Sequence, residues 1–303
     1  MHKYLVTSLF LIWSMSANCS DLFSDQFDGE RALKHIQNQV ELGPRILSNP
    51  DIKNNTLDYI EGHIKPLATR MTRQGFSSDG LDGVNLWATF VSDHQNANQN
   101  RLMLGAHWDT RPISEKETDH NKRGQPTLGA NDGASGVAVL LELARIFALN
   151  PPPVTVDLIF FDLEDMGNID GLKFAIGSHQ FVKKNSFYRP SGGVILDMVC
   201  DKNLEIPKEL YSKNQAKNLM DRIWHIAEKQ NAKAFLKTDG TFITDDHLPF
   251  LKVGIPVVDL IHYPFPDYWH TTRDTLDKCS SDSLEAVGKV VASLVYDYSV
   301  IKY

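Results

Sequence analysis

Three runs of apolar residues, each of strand length and each leading into an acid or a histidine, constrain this fold more than any other feature of the chain. Leu102-Met103-Leu104-Gly105-Ala106 runs into His107, the stretch from Val154 to Phe161 leads to Glu164-Asp165, and Gly193-Val194-Ile195-Leu196 ends at Asp197. Strands that are apolar on both faces belong to a sheet covered on both sides, which in practice means a largely parallel one. Open α/β sheets gather their chemistry beyond the strand ends, so the polar residue closing each run is a candidate site residue.

The rest of the pattern agrees. Strands are expected over 85–91, 101–107, 154–161, 193–198 and 255–261, alternating with helices over 30–40, 54–74, 134–149, 214–229 and 283–298 that carry apolar residues at three- and four-residue spacings. The last helix has a start signal in Asp282, with Glu285 three residues on. Polar loops over 111–128, 183–192 and 237–244 are suited to walling a cleft. With no linker-like or single-sign block dividing the 303 residues, one catalytic domain over 20–303 is expected: a central twisted, mostly parallel sheet covered by helices on both faces. The composition is 42% hydrophobic and 23% charged, and a dispersed net charge of -7 argues against nucleic acid as a partner. No internal repeat is present, and a monomer is expected.

The first residues read differently. Lys3 precedes an apolar stretch from Tyr4 to Met15, too short to span a bilayer as a helix, and Ser16-Ala17-Asn18-Cys19 supplies small residues suited to cleavage. Residues 1–19 are therefore read as an export signal, giving a periplasmic or secreted protein with no integral membrane span. Lipid attachment at Cys19 is weakly supported, because Ser16 stands where such sites usually carry leucine. In an oxidising compartment Cys200 and Cys279 are free to pair if the fold brings them together.

The polar clusters have the composition of a metal site. Zinc in a catalytic role takes three His or carboxylate ligands and keeps one position open, and Asp132, Asp165 and His270 are the expected set. Asp132 lies in Gly129-Ala130-Asn131-Asp132-Gly133-Ala134-Ser135-Gly136, where glycines permit a tight turn; a plain helix cap is the bland alternative. Glu164 and Asp165 are adjacent acids, so a cation on one would leave the other as a proton carrier with a raised pKa. In His107-Trp108-Asp109 the carboxylate two residues on could orient the imidazole. Trp269 directly before His270 could wall the cleft.

The order of these residues resembles the zinc-dependent exopeptidase-like family that includes bacterial aminopeptidases and the glutaminyl-peptide cyclotransferases. The resemblance runs from about Ala32 to the C-terminus, beginning with Gln39-Val40-Glu41-Leu42-Gly43-Pro44-Arg45. It is closest to the cyclotransferases through Asp245-Asp246-His247-Leu248-Pro249-Phe250, Gly254-Ile255-Pro256-Val257 and Pro264-Phe265-Pro266 before Trp269-His270. It implies zinc on Asp132, Asp165 and His270, Glu164 as general acid/base hydrogen-bonded with Asp197 and Asp245, and a pocket lined by Phe265 and Trp269. The implied reaction converts N-terminal glutamine of peptides or proteins to pyroglutamate with release of ammonia.

Three positions depart from the animal enzymes. Asp165 replaces a glutamate, Met166-Gly167-Asn168-Ile169 lacks a tryptophan, and Asp259 stands in place of a histidine, as in a bacterial branch. The alternative is a two-zinc aminopeptidase in which His107 and Asp197 hold a second ion, Asp132 bridges both, and Glu164 activates water.

Overall fold

The computed structural model describes residues 23–92 and 101–297. The expected export signal and Cys19 lie outside the described residues, as does the final residue of the last expected helix. The described residues form eight strands: β1 (Arg70–Ser78), β2 (Leu81–Phe90), β3 (Arg101–His107), β4 (Thr155–Phe161), β5 (Gly192–Asp197), β6 (Ile206–Lys208), β7 (Phe235–Asp239) and β8 (Val257–Ile261). The helices are α1 (Gly29–Leu42), α2 (Pro50–Ile64), α3 (Ala134–Leu149), α4 (Ile176–Lys184), α5 (Leu210–Gln215), α6 (Lys217–Lys229), α7 (Leu248–Lys252) and α8 (Ser281–Asp297).

Six strands form one sheet in the order β1-β2-β4-β3-β5-β8, with β4, β3, β5 and β8 parallel and the β1-β2 hairpin antiparallel at one edge. Successive side chains point to opposite faces of a strand, and both faces are covered. Leu102, Leu104, Leu158, Phe160, Val194 and Leu196 enter the core beneath α1, α3 and α8. Met103, Ile159, Phe161 and Ile195 enter a second core that includes Phe181 of α4 and Phe250 of α7. The helix α3 carries the chain from β3 to β4 on one face, and α4 carries it from β4 to β5 on the other. The order therefore switches at β3, and the loops leaving β3 and β4 part to open a crevice at the shared C-terminal edge.

Four local expectations are corrected. Residues 65–74 do not continue α2, which ends at Ile64: Arg70 begins an edge strand whose residues are mostly solvent-facing, so no apolar alternation marks it. The helix expected over 214–229 is two, broken at Ala216. The last helix starts at Ser281, ahead of Asp282, and the Asp282 N–H donates to the Ser280 hydroxyl, so Ser280 supplies the capping oxygen. Part of the loop expected over 237–244 is the end of β7.

Candidate metal and catalytic centre

The expected site residues stand at the last position of a strand, as His107 and Asp197 do, just beyond one, or on turns facing that edge. Asp132 sits in the turn that leads into α3, between Gly129 and Gly133, which take φ of 59° and 101°. A side chain at Gly133 would place its Cβ 2.5 Å from the Asp109 carbonyl, so backbone and sterics together demand glycine there. Gly133, not Asp132, is the residue preceding α3, and no side chain caps that helix, which disposes of the capping alternative. The turn is held from both sides. The buried Arg45 guanidinium donates to the carbonyls of Trp108, Leu128 and Gly129, while the Asp274 carboxylate accepts from the Asn131 and Asp132 N–H groups at 2.9 and 3.0 Å.

Past β4 the chain turns through Leu163 at φ 58° and presents Glu164 and Asp165. Their N–H groups donate to the Asp109 carboxylate at 3.0 and 3.2 Å. Asp109 thus holds the acidic turn, and it lies 3.5 Å from His107 Nδ1. Met198 and His270 also adopt left-handed φ, of 51° and 54°. Non-glycine residues in this region are uncommon and gather at functional sites, where surrounding contacts hold them.

Asp132, Asp165 and His270 converge, with one ligand-type atom from each lying within 4.8 Å of the others. His270 Nε2 is 3.4 Å from Asp165 Oδ1 and 3.7 Å from Asp132 Oδ2. All three are buried, and Asp165 Oδ2 has no hydrogen-bond partner, a costly condition for a carboxylate oxygen away from water. Two buried carboxylates and an imidazole so arranged suit zinc in both donor type and number.

Glu164 is 6% exposed, and burial pushes its carboxyl well above the usual carboxylate range; Asp245 and Asp165 add to the effect and His107 opposes it. Burial likewise lifts Asp197 to about 7, against the pull of His107. Glu164, Asp197 and Asp245 line one cavity of about 200 Å³ together with the three convergent residues. Phe265 and Trp269 wall it, stacked at 4.2 Å between ring centroids and 23° between planes, and the Trp269 ring also packs on His270 at 3.8 Å. Asp197 Oδ1 is hydrogen-bonded with His107 Nε2 at 3.2 Å, and Asp132 lies 3.1 Å from the same nitrogen. His107, Asp132 and Asp197 thus form a second possible metal group.

Sequence reasoning missed Arg111, Glu115, Asp274 and Glu209. Glu115 meets His270 Nδ1 at 2.7 Å, Arg111 meets Asp165, and Glu209 lies 3.3 Å from His247 Nε2, whose other nitrogen is 3.5 Å from Asp259. For Arg111 and Glu115 there was a usable signal, opposite charges four residues apart just after His107-Trp108-Asp109.

A family model described as peptidase family M28 matches residues 85–295. Among solved structures, the glutaminyl cyclase of Bacteroides thetaiotaomicron bound to N-acetylhistamine is 32% identical, with a TM-score of 0.84 over 90% of this chain and 98% of that one. A Zn-dependent exopeptidase from Parabacteroides distasonis is also 32% identical, with a TM-score of 0.83 over 89% and 98%. The glutaminyl-peptide cyclotransferase of Bos taurus is 25% identical over 256 residues, covering 74% of this chain and 69% of that protein.

Proposed function

The chain belongs to peptidase family M28, and from that premise we propose that it is a zinc-dependent glutaminyl-peptide cyclotransferase, closing N-terminal glutamine of peptides or proteins to pyroglutamate. The observation that carries this reading is the buried Glu164 beside three convergent metal-type ligands, in a small aromatic-walled cavity at the switch point of the sheet. The likeness to glutaminyl cyclases over nearly the whole chain supports it.

Asp132, Asp165 and His270 would hold one zinc ion. Bound there, zinc supplies a Lewis acid for the γ-carbonyl of the substrate glutamine. Glu164 takes a proton from the α-amine as that nitrogen bonds to the side-chain amide carbon, Cδ, then gives it to the amide nitrogen as the old Cδ–N bond breaks, so that ammonia leaves. A carboxyl whose proton affinity is raised by burial and by Asp245 and Asp165 is suited to both halves of that transfer. Trp269 and Phe265 hold the glutamine side chain folded toward its own amine, an orientation task that otherwise costs entropy in the transition state. The cavity also limits access of water, which would compete with the amine.

A second reading, a two-zinc aminopeptidase, is favoured by one observation, the His107–Asp132–Asp197 group. Metal analysis with paired assays separates the two. One zinc per chain and ammonia release from Gln-peptides, with no amino acid freed from aminoacyl anilides, is the expected result; two zincs with amino-acid release would replace this reading by the second.

An exported, monomeric enzyme is part of the same proposal. Among the described residues no helix is long and apolar enough to cross a membrane, and Cys200 is bonded to Cys279, a pairing that oxidising compartments favour. N-terminal sequencing of the mature chain should start near residue 20, and light scattering should return the mass of one chain.

A further inference from the structure

We propose that Arg111 and Glu115 are positioning residues for the metal, a linked pair that presents one nitrogen of His270 and one oxygen of Asp165 to it. The inference rests on the reading in which Asp132, Asp165 and His270 hold zinc.

The two residues open the loop after β3, and they connect two ligand residues that come from different turns. Arg111 is 2% exposed and spends its whole fork on this task. Its Nη1 donates to Asp165 Oδ1 at 3.2 Å and to the carbonyls of Asp165 and Gly167 at 3.1 and 2.9 Å. Its Nε and Nη2 donate in parallel to the two oxygens of Glu115 at 3.0 and 2.9 Å. Glu115 Oε1 then lies 2.7 Å from His270 Nδ1. The chain Asp165–Arg111–Glu115–His270 is continuous, and the loop is fastened to the His270 turn at two further points: the Lys116 N–H donates to the His270 carbonyl, and Glu117 accepts from the Thr272 N–H and hydroxyl.

Each link has a consequence for the metal. A carboxylate only accepts hydrogen bonds, so His270 Nδ1 must carry the proton, and the lone pair is left on Nε2, the nitrogen that faces Asp132 and Asp165. Arg111 donates to Asp165 Oδ1, the oxygen that lies 3.4 Å from His270 Nε2, and so fixes the carboxylate on that side, while Asp165 Oδ2 has no partner. Asp165 is thereby presented through one oxygen, and a ligand that binds through one oxygen leaves room for an open fourth position on zinc. Lysine could not replace Arg111, because the role needs parallel donors at fixed spacing as well as charge.

The test measures zinc affinity of the purified enzyme by competition with a chromophoric chelator, together with the visible spectrum of the cobalt-substituted protein. Glu115→Ala should weaken zinc binding about 10–100-fold, and Glu115→Gln, whose amide oxygen still accepts, should recover most of that loss. Arg111→Lys keeps the charge and covers the case in which Glu115→Ala does not fold; it should change the cobalt spectrum as Asp165 becomes free to offer both oxygens. Zinc affinities within twofold of the parent and an unchanged cobalt spectrum in both variants would overturn the proposal. A parent enzyme that bound no zinc, or an Asp165→Ala variant that bound it undiminished, would instead overturn the ligand assignment on which the proposal rests.

Discussion

The Glu164 carboxyl is enclosed by protein, flanked by like charges and adjacent in sequence to Asp165, so its two possible roles, ligand and proton carrier, are separable by one substitution. Glu164→Gln preserves shape and removes the proton-transfer group. It should retain the parent's zinc content while kcat falls about 10²–10⁴-fold, the usual contribution of a positioned acid/base; kcat within a few-fold of the parent would end its assignment. Residues of this kind were legible because they sit directly on local signals: Asp132 between glycines, Glu164-Asp165 past an apolar run, His270 after an aromatic. The groups that orient them were not. Glu115 and His270 are 155 residues apart, and Asp274 and the Asp132 N–H are separated by 142. The spacing of Arg111 and Glu115 signals only their pairing with each other, and nothing within a short window of sequence reports which distant residue either one meets.

At the scale of elements, burial decides what the sequence discloses. The inner strands β3, β4 and β5 are covered on both faces and read directly as apolar runs, whereas β1 lies at the exposed edge and α4 has only a short buried face. One polar residue interrupts the inner run of β4: Asp157 is fully buried and joins β2, β3 and the loop after α4 by accepting from Trp87, Thr89, Arg101 and Tyr188. Removing one partner of a buried network leaves the others uncompensated. Asp157→Ala should cost about 3–5 kcal/mol in urea unfolding, with zinc binding unchanged in the folded fraction; a loss below about 1 kcal/mol would show that the network contributes little net stability. The seam between α1 and α2 is sensitive to pH. His35 meets the Tyr59 hydroxyl at 2.7 Å, and burial, with His63 and Arg31 nearby, lowers it to about 4. Because the folded value lies below the ordinary 6.5, the unfolded chain takes up the proton first. The contribution is complete above pH 6.5 and is lost as pH falls toward 4, with a slope of at most about 1.4 kcal/mol per pH unit that partial exposure of the ring reduces. Comparing urea midpoints of the parent and His35→Gln across that window should reveal a flatter dependence in the variant, and parallel curves would refute it.

For the molecule as a whole, the disulfide is the covalent restraint that spans the site's rear wall. Cys200 follows β5 and Cys279 precedes α8, so the bridge closes a loop across 79 residues that contains β6, β7, β8 and the entire segment carrying Asp245, Phe265, Trp269 and His270. Asp201 and Cys279 also form an isolated strand-like bridge beside it, and the Cys200 N–H donates to the Asn131 side chain, which neighbours Asp132. The fold therefore holds the two chain segments together without the covalent bond, and the bond acts chiefly by restricting the unfolded chain. For a loop of this length the restriction corresponds to about 4–5 kcal/mol. A Cys200→Ser/Cys279→Ser double variant should lose that much in urea unfolding yet keep zinc and turnover close to the parent's at moderate temperature. Adding a thiol reductant should lower the parent's midpoint to that of the variant and leave the variant's own midpoint unmoved. If the parent were equally stable with and without reductant under conditions where free-thiol titration proves the bond reduced, the bridge would not be a stabilising element, and the structural support for export to an oxidising compartment would fall with it.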